Sequence, residues 1–184
     1  MRNQKQLIII TGPSGVGKGS VVKEILKMDS KFWLSISATT RKARKGEING
    51  EQYYFLSKEK FKNMISDNLL LEWAEFAGNF YGTPLESISR RIESGNKVIL
   101  EIEVEGARQI KEKFPDSLSI FLLPPSIKEL ENRIRNRATD SEESISKRLK
   151  RSKFEIACSE DFDYVVTNEN LQETINKVYK LIKI

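Results

Sequence analysis

The chain has 184 residues, of which 31 are Lys or Arg and 26 are Asp or Glu, so its formal net charge is +5. It contains no His and a single Cys, which excludes triads built on imidazole, Cys/His metal clusters and an intramolecular disulfide. The positive charge suits an anionic ligand, although solvated surfaces of this charge are common. No stretch approaches the ~20 apolar residues that span a bilayer, and no signal-peptide pattern opens the chain, so we expect a cytoplasmic protein.

Four short apolar runs, at residues 7–10, 97–100, 119–123 and 163–166, predict buried strands. A helical pattern begins at Lys18, and further helices are predicted after Ser126 and Asn170, each followed three residues later by Glu. Thr83 is expected to cap a helix that starts at Pro84 and ends near Gly95. Strands alternating with helices predict an α/β fold with a mostly parallel sheet.

The segment after the first strand, Gly-Pro-Ser-Gly-Val-Gly-Lys at 12–18, matches the phosphate-binding signature G-x-x-x-x-G-K between a strand and a helix. Glycines allow successive backbone N–H groups to face phosphate oxygens, and Lys18 can reach the β- and γ-phosphates. The alternative is a Gly-rich turn with a solvated Lys. Gly19 stands where a Ser or Thr hydroxyl usually binds Mg²⁺. We therefore expect Mg²⁺ to be held mainly by nucleotide phosphates and water, with Ser20 as a possible ligand.

A basic segment, 37–55, follows the first helix. Two arginines three residues apart, Arg41 and Arg44, precede a turn and Tyr53, and this set can clamp a second phosphate. On residue types alone, a solvated basic loop is the main alternative. The charge-rich stretch 133–153 contains arginines that alternate with other residues. On a helix, Arg133 and Arg137 would share one face, whereas Arg135 would point away.

The pattern S-x-T-T-R-x-x-R-x-G-E-x-x-G-x-x-Y runs from Ser37 to Tyr53, and the segments 71–76, 78–83 and 101–107 follow at matching spacing. Over nearly its whole length the sequence resembles the guanylate kinase family. The resemblance implies a P-loop NTPase-type parallel sheet flanked by helices, with an inserted nucleotide-monophosphate-binding subdomain and an arginine-rich lid. It implies one domain over 1–184, with a core at about 1–34, 84–125 and 160–184, the insertion at about 35–83 and the lid at about 126–159.

The resemblance also implies site residues. Those implied for ATP are Gly12, Pro13, Ser14, Gly15, Val16, Gly17, Lys18, Gly19 and Ser20. Those implied for GMP are Ser37, Arg41, Arg44, Tyr53, Glu72, Tyr81, Thr83 and Glu103. The implied catalytic residues are Lys18, Arg133, Arg137 and Arg148. The corresponding chemistry is reasonable, because one carboxylate can accept from the adjacent N1–H and N2–H₂ of guanine.

Structural alternatives remain for several of these residues. Thr83 could serve only as a helix cap, Tyr53 and Tyr81 could be packing residues, and Glu72 could be an exposed strand charge. Arg135 and Arg151 are expected to be solvated. The sequence departs from the family pattern at 138–140, where Ala-Thr-Asp replaces the usual Gly-Thr-Glu, and at Glu105, which replaces the usual Gln.

The reaction implied is Mg²⁺-dependent phosphoryl transfer from ATP to GMP, and dGMP as well. The expected partners are these small molecules, with no nucleic acid and no membrane, in a monomer or homo-oligomer. A kinase for another nucleoside monophosphate is the nearest alternative, and a non-catalytic guanylate-kinase-like interaction module is the alternative from a different class.

Overall fold

The computed structural model of the protein describes residues 6–76, 78–136 and 142–183. Arg137 and the departure from the family pattern at 138–140 lie outside these residues. Along the described chain the elements are β1 (Leu7–Thr11), α1 (Lys18–Met28), β2 (Phe32–Leu34), β3 (Ala38–Thr39), β4 (Tyr54–Phe55), α2 (Lys58–Ser66), β5 (Leu70–Phe76), β6 (Asn79–Pro84), α3 (Leu85–Glu93), β7 (Lys97–Glu101), α4 (Val104–Lys113), β8 (Leu118–Leu123), α5 (Ile127–Arg135), α6 (Glu142–Ala157), β9 (Tyr164–Thr167) and α7 (Leu171–Ile182).

The central sheet has the strand order β2-β7-β1-β8-β9, and all of its neighbouring strands are parallel. The predicted α/β fold with a parallel sheet is therefore confirmed, and all four predicted strands belong to this sheet. The strand β2 was not predicted. It has only three residues and is defined by its pairing with β7, for example Trp33 opposite Val98.

The hydrophobic core lies on both faces of the central sheet. Ile8 and Ile10 of β1 face a cluster formed with α1 and α7, whereas Leu7 and Ile9 face a second cluster formed with α3 and α4. Successive strand residues point to opposite faces, so a strand covered on both sides needs apolar residues at every position. This explains why the first strand is a continuous apolar run without alternation.

A second, smaller sheet has the order β4-β3-β6-β5, in which β3 pairs parallel with β4 and antiparallel with β6. It has its own small core, formed by Ala38, Phe61 and Leu70. The ring of Phe61 stacks on that of Phe80, with centroids 5.6 Å apart. Because this core is separate from the two clusters of the central sheet, the second sheet has packing of its own. How the chain divides into core, insertion and lid stays a prediction.

One local prediction was wrong. Helix α3 begins at Leu85 and has no side-chain cap, because Thr83 and Pro84 continue strand β6, where Pro84 pairs with Leu70. The single cysteine, Cys158, is buried just after α6. The predicted caps were correct: Ser126 and Asn170 each accept a hydrogen bond from the backbone N–H three residues later. Among the described residues, no helix combines the length and apolar character that crossing a membrane requires.

Candidate active site

The phosphate-binding loop joins the end of β1 to the start of α1. Gly12 has φ +142°, and a side chain there would overlap the carbonyl oxygen of Leu122 in the adjacent strand, so only glycine fits this close approach. The Lys18 side chain is buried (9% exposed), and its Nζ donates to the carbonyl oxygen of Gly12 at 2.6 Å. The ammonium group is therefore folded back across the loop, at the end of the sheet where ligands of such folds bind.

Two of the predicted lid arginines contact this loop. The Arg148 Nη2 atom donates to Ser14 Oγ at 2.7 Å, and Arg133 Nη1 donates to the Val16 carbonyl oxygen at 3.4 Å. In contrast, Arg135 pairs with Glu131 of its own helix and with Glu142 of the next. The predicted difference in orientation between Arg133 and Arg135 is thus confirmed. Arg137 cannot be compared with them, because it lies outside the described residues.

A cavity of about 660 Å³ opens between the two sheets and helix α6. Seven of the eight residues implied for GMP line it, together with Ser14 of the loop and Arg148: they are Ser37, Arg41, Arg44, Tyr53, Glu72, Tyr81 and Glu103. The eighth, Thr83, is fully buried behind this lining. The cavity therefore brings together segments that are widely separated in the sequence.

Glu72 is the most deeply buried carboxylate of the cavity wall, with 4% of its surface exposed, so the alternative of an exposed strand charge is wrong. Its Oε1 accepts a 2.6 Å hydrogen bond from the hydroxyl of Thr83. Burial raises the pKa of Glu72 to about 7, and the Thr83 hydrogen bond and the charge of Lys113 oppose that rise. A carboxyl group of this kind changes its charge readily near neutral pH.

Another part of the cavity wall carries positive charge, where Arg41 lies against aromatic rings. Both terminal nitrogens of Arg41 donate to the Glu47 carboxylate at 2.9 Å, and the guanidinium lies 5.4 Å from the centroid of the Tyr53 ring. The Arg41 side chain is only 15% exposed, whereas Arg44 is exposed. The rings of Tyr53 and Tyr81 meet edge to face at 6.1 Å. This part of the basic segment is therefore ordered and paired rather than a solvated loop.

The comparisons with known proteins agree with this geometry. A family model described as guanylate kinase matches residues 4–184. A guanylate kinase of Prochlorococcus marinus (strain MIT 9312) is 64% identical over 183 residues and covers 100% of both chains. One from Synechocystis sp. is 51% identical, covering 96% of this chain and 94% of its own. A guanylate kinase structure from Anaplasma phagocytophilum matches with a TM-score of 0.79 at 33% identity, over 96% of this chain and 83% of that chain.

The chain belongs to the guanylate kinase family. A shikimate kinase from Bacteroides thetaiotaomicron, at 12% identity and a TM-score of 0.52, covers 97% of this chain and 98% of its own, and it shares the fold alone. The structure also brings to the site residues that the sequence did not predict.

Glu101 and Asn168 are two such residues. Glu101 lines the cavity, and its carboxylate lies 3.4–3.6 Å from where a side chain on Gly19 would begin. The Asn168 side chain is buried, and its Nδ2 donates to the Val16 carbonyl oxygen at 2.7 Å. Glu101 could have been suspected, because it directly follows the predicted strand 97–100, at the edge of the sheet where ligands bind. For Asn168, which follows the last strand, the same argument holds.

Arg151 and Glu155 of α6 form a second unpredicted feature. Arg151 was expected to be solvated, but its Nε donates to the buried Glu155 at 2.9 Å and its guanidinium lies 4.4 Å from the centroid of the Phe76 ring. Arg151 also pairs at 3.5 Å with Glu105, the residue that departs from the family pattern. Burial and the nearby Glu103 raise the pKa of Glu155. The prediction for Arg151 was wrong because helical spacing alone does not show which neighbour covers a helix face.

Proposed function

We propose that the chain transfers the γ-phosphoryl group of ATP to GMP, giving ADP and GDP. The observation that carries this proposal is the composition of the cavity. A buried carboxylate, Glu72, lies in one part of its wall, the paired cation Arg41 lies in another, and Ser14 of the phosphate-binding loop completes it. A purine monophosphate with two adjacent N–H donors matches the first two features, and a nucleoside triphosphate matches the third.

The base would be read chiefly by Glu72. Ionised, its carboxylate only accepts hydrogen bonds, and guanine presents N1–H and N2–H₂ side by side. We propose that Ser37 donates to O6 from the neighbouring part of the wall. Because the Thr83 hydroxyl already donates to Glu72 Oε1, Thr83 would act by holding this carboxylate rather than by touching the base. Glu103 Oε2 is buried and has no partner within the described residues, so it offers a further acceptor to a nucleoside donor.

The GMP phosphate would be bound by Arg41, Arg44, Tyr53 and Tyr81. The Glu47 carboxylate and the Tyr53 ring hold the Arg41 guanidinium before the ligand arrives, which lowers the entropy lost on binding. Burial raises the pKa of the Tyr53 hydroxyl to about 12, so this group stays protonated and can donate to a phosphate oxygen.

Phosphoryl transfer itself would depend on Lys18, Arg133, Arg148 and Arg137. An oxygen of the GMP phosphate attacks the γ-phosphorus of ATP; the new O–P bond forms as the bond to the β-phosphate oxygen breaks. The attacking oxygen is already anionic, so the chain needs no general base, which suits a protein without His. Catalysis then consists of positioning and of neutralising charge with fixed cations.

The residues near the loop fit a magnesium ion that is bound mainly by the nucleotide. Gly19 contributes no hydroxyl, the adjacent Ser20 is exposed, and the Glu101 carboxylate beside Gly19 is the kind of oxygen donor that Mg²⁺ accepts. Within the described ranges, no three acidic or Cys side chains cluster as a metal site. We propose that Ser20 and Glu101 make the few protein contacts to Mg²⁺, either directly or through water. The bound ion would neutralise charge on the phosphates.

The test is an ADP-release assay with ATP and a panel of monophosphates: GMP, dGMP, AMP, CMP and UMP. We expect GMP to be the preferred substrate and chelation of Mg²⁺ to stop the reaction. A kinase for another monophosphate would prefer a different member of the panel, and an interaction module would release no ADP with any of them. Lys18→Ala in the same assay excludes a contaminating kinase.

A further inference from the structure

Helix α4 presents one face to the strand that carries Glu72. Gly106, Gln109 and Lys113, spaced three and then four residues apart, share this face, and each contacts β5. Gln109 Oε1 accepts from the Trp73 N–H at 3.2 Å, and its Nε2 donates to the Trp73 carbonyl oxygen at 2.7 Å. Lys113 Nζ donates to the Leu71 carbonyl oxygen at 2.9 Å. The helix thus holds the backbone on both sides of Glu72.

Strand β5 needs this support, because its pairing with β6 shifts register between Leu70 and Trp73. Such an irregularity leaves backbone groups without their ladder partners and turns a side chain to a new direction. Glu72 lies within the shifted stretch. β5 is also the edge strand of the second sheet, and Gln109 and Lys113 bond backbone groups of this edge strand on both sides of Glu72.

Gly106 lies directly against the Glu72 carboxylate. A methyl carbon built on Gly106 would overlap Oε2 of Glu72 and lie 2.9 Å from its Cδ and 3.5 Å from its Cγ, so its three nearest neighbours outside the helix backbone all belong to Glu72. The space that a side chain would occupy is thus filled by the carboxylate itself. Thr83 holds the other oxygen, Oε1, at 2.6 Å. The carboxylate is fixed between a hydroxyl on β6 and the bare backbone of α4.

We propose that α4 is a specificity element: Gly106 and Gln109 are positioning residues that set where the Glu72 carboxylate meets the guanine edge. The inference rests on the proposed function, in which Glu72 reads the base. Neither residue needs to touch the nucleotide. Gly106 acts by having no side chain, and Gln109 acts by fixing the backbone of Trp73 next to Glu72.

The central test is Gly106→Ala. The added methyl group should push the Glu72 carboxylate away from Thr83, so that it no longer faces the N–H donors of guanine. Kinetics with GMP are compared with those for IMP, which keeps N1–H but lacks the 2-amino group. A displaced carboxylate loses the two-donor contact, so we expect the GMP/IMP ratio of kcat/KM to fall by about tenfold or more. Glu112→Ala, an exposed position on the same helix, should leave the ratio unchanged.

A stability cycle tests the same contact without activity. Ala favours a helix over Gly, so Gly106→Ala in a Glu72→Ala background should raise Tm by about 2–4 °C. In the wild-type background the overlap should cancel that gain or reverse it. Equal shifts of Tm in both backgrounds would overturn the contact. Gln109→Ala provides a second variant that introduces no steric overlap, and it should also lower the GMP/IMP ratio.

The outcomes separate this inference from the proposed function. If Glu72→Gln lowers the GMP/IMP ratio but both Gly106→Ala and Gln109→Ala preserve it, Glu72 reads the base and the positioning role is wrong. If Glu72→Gln itself leaves the ratio unchanged, base reading by Glu72 is wrong and the specificity role of α4 is overturned with it. A lower ratio in all three variants supports both.

Discussion

The two ends of the cavity are built in different ways. The phosphate-binding loop uses consecutive residues between one strand and one helix, and much of its binding capacity comes from backbone N–H groups. The end that we propose reads the base takes side chains from separate segments: Ser37, Glu72 and Thr83 from the region of the second sheet, and Glu103 from the start of α4. A site made of local backbone depends on a few residue types, whereas a site made of distant side chains depends on packing.

The two ends of the cavity should respond differently to substitution. In the loop, removing a charge should affect the chemistry and leave the fold intact. At the proposed base-reading end, Glu72 would hold the ligand and also accepts the hydrogen bond of the buried Thr83 hydroxyl. Neutralising Glu72 should therefore lower specificity while it raises stability.

The largest effect is expected at the loop. Lys18→Ala should lower kcat by roughly 10²–10³, because a fixed cation beside the moving phosphoryl group stabilises the transition state. Steady-state kinetics with saturating ATP and GMP measure this. Lys23→Ala, an exposed lysine on the same helix, is the matched control and should retain wild-type turnover. Turnover within twofold of wild type in a folded Lys18→Ala variant would remove Lys18 from the mechanism.

The next effect concerns the base-reading end. Glu72→Gln keeps the shape of the side chain but turns one acceptor into a donor, which would face a guanine N–H. We expect kcat/KM for GMP to fall by roughly 10² or more, with the weak AMP activity unchanged or increased. Competition kinetics with both nucleotides measure it. Equal losses for GMP and AMP would mean that Glu72 supports the fold and does not read the base.

A smaller effect is expected from the arginine that touches the loop. Arg148→Ala removes a cation next to Ser14 and should lower kcat by roughly 10–10² while changing the KM for GMP little. Arg135→Ala is the control, since its ion pairs lie on the exposed surface and contribute little. Similar kinetics for the two variants would contradict the assignment of Arg148 to the ATP side.

A further effect of Glu72 is thermodynamic and depends on pH. The folded pKa of Glu72, about 7, lies above the ordinary value of 4.5, so the folded protein holds this proton more tightly. Its stabilising contribution is full below pH 4.5 and is lost as the pH rises through 7. Glu72→Gln stays neutral and should gain up to about 3 kcal/mol relative to wild type between pH 5 and pH 8.

Thermal melts at the two pH values measure this gain. Glu75→Gln, an exposed residue on the same strand, should show the same Tm difference from wild type at both. If the Tm difference between Glu72→Gln and wild type were also independent of pH, the Glu72 carboxylate would not be buried as a charge. A Tm gain for Glu72→Gln that grows with pH would show that the substitution that impairs base reading also stabilises the protein.

The sequence by itself determined four of the five strands of the central sheet, their parallel arrangement and the phosphate-binding loop. A short apolar run that is rich in β-branched residues and bounded by turn residues favours a strand covered on both faces, as β1 is, and the loop signature is a local pattern that its own backbone satisfies. The caps at Ser126 and Asn170 were readable for the same reason, because the donor lies three residues away. Resemblance added the identities of distant site residues but not their contacts.

Only the tertiary structure decided what those residues touch. Thr83 reads as a helix cap from its neighbours, yet its hydroxyl donates to Glu72, eleven residues earlier in the chain, because β5 and β6 pair. Arg151 reads as solvated, yet it covers Phe76 and pairs with Glu155. The contact between Gly106 and Glu72 leaves no local signal at all. Side-chain partners that are remote in sequence depend on how the sheets and helices pack, and no periodicity or capping pattern encodes that packing.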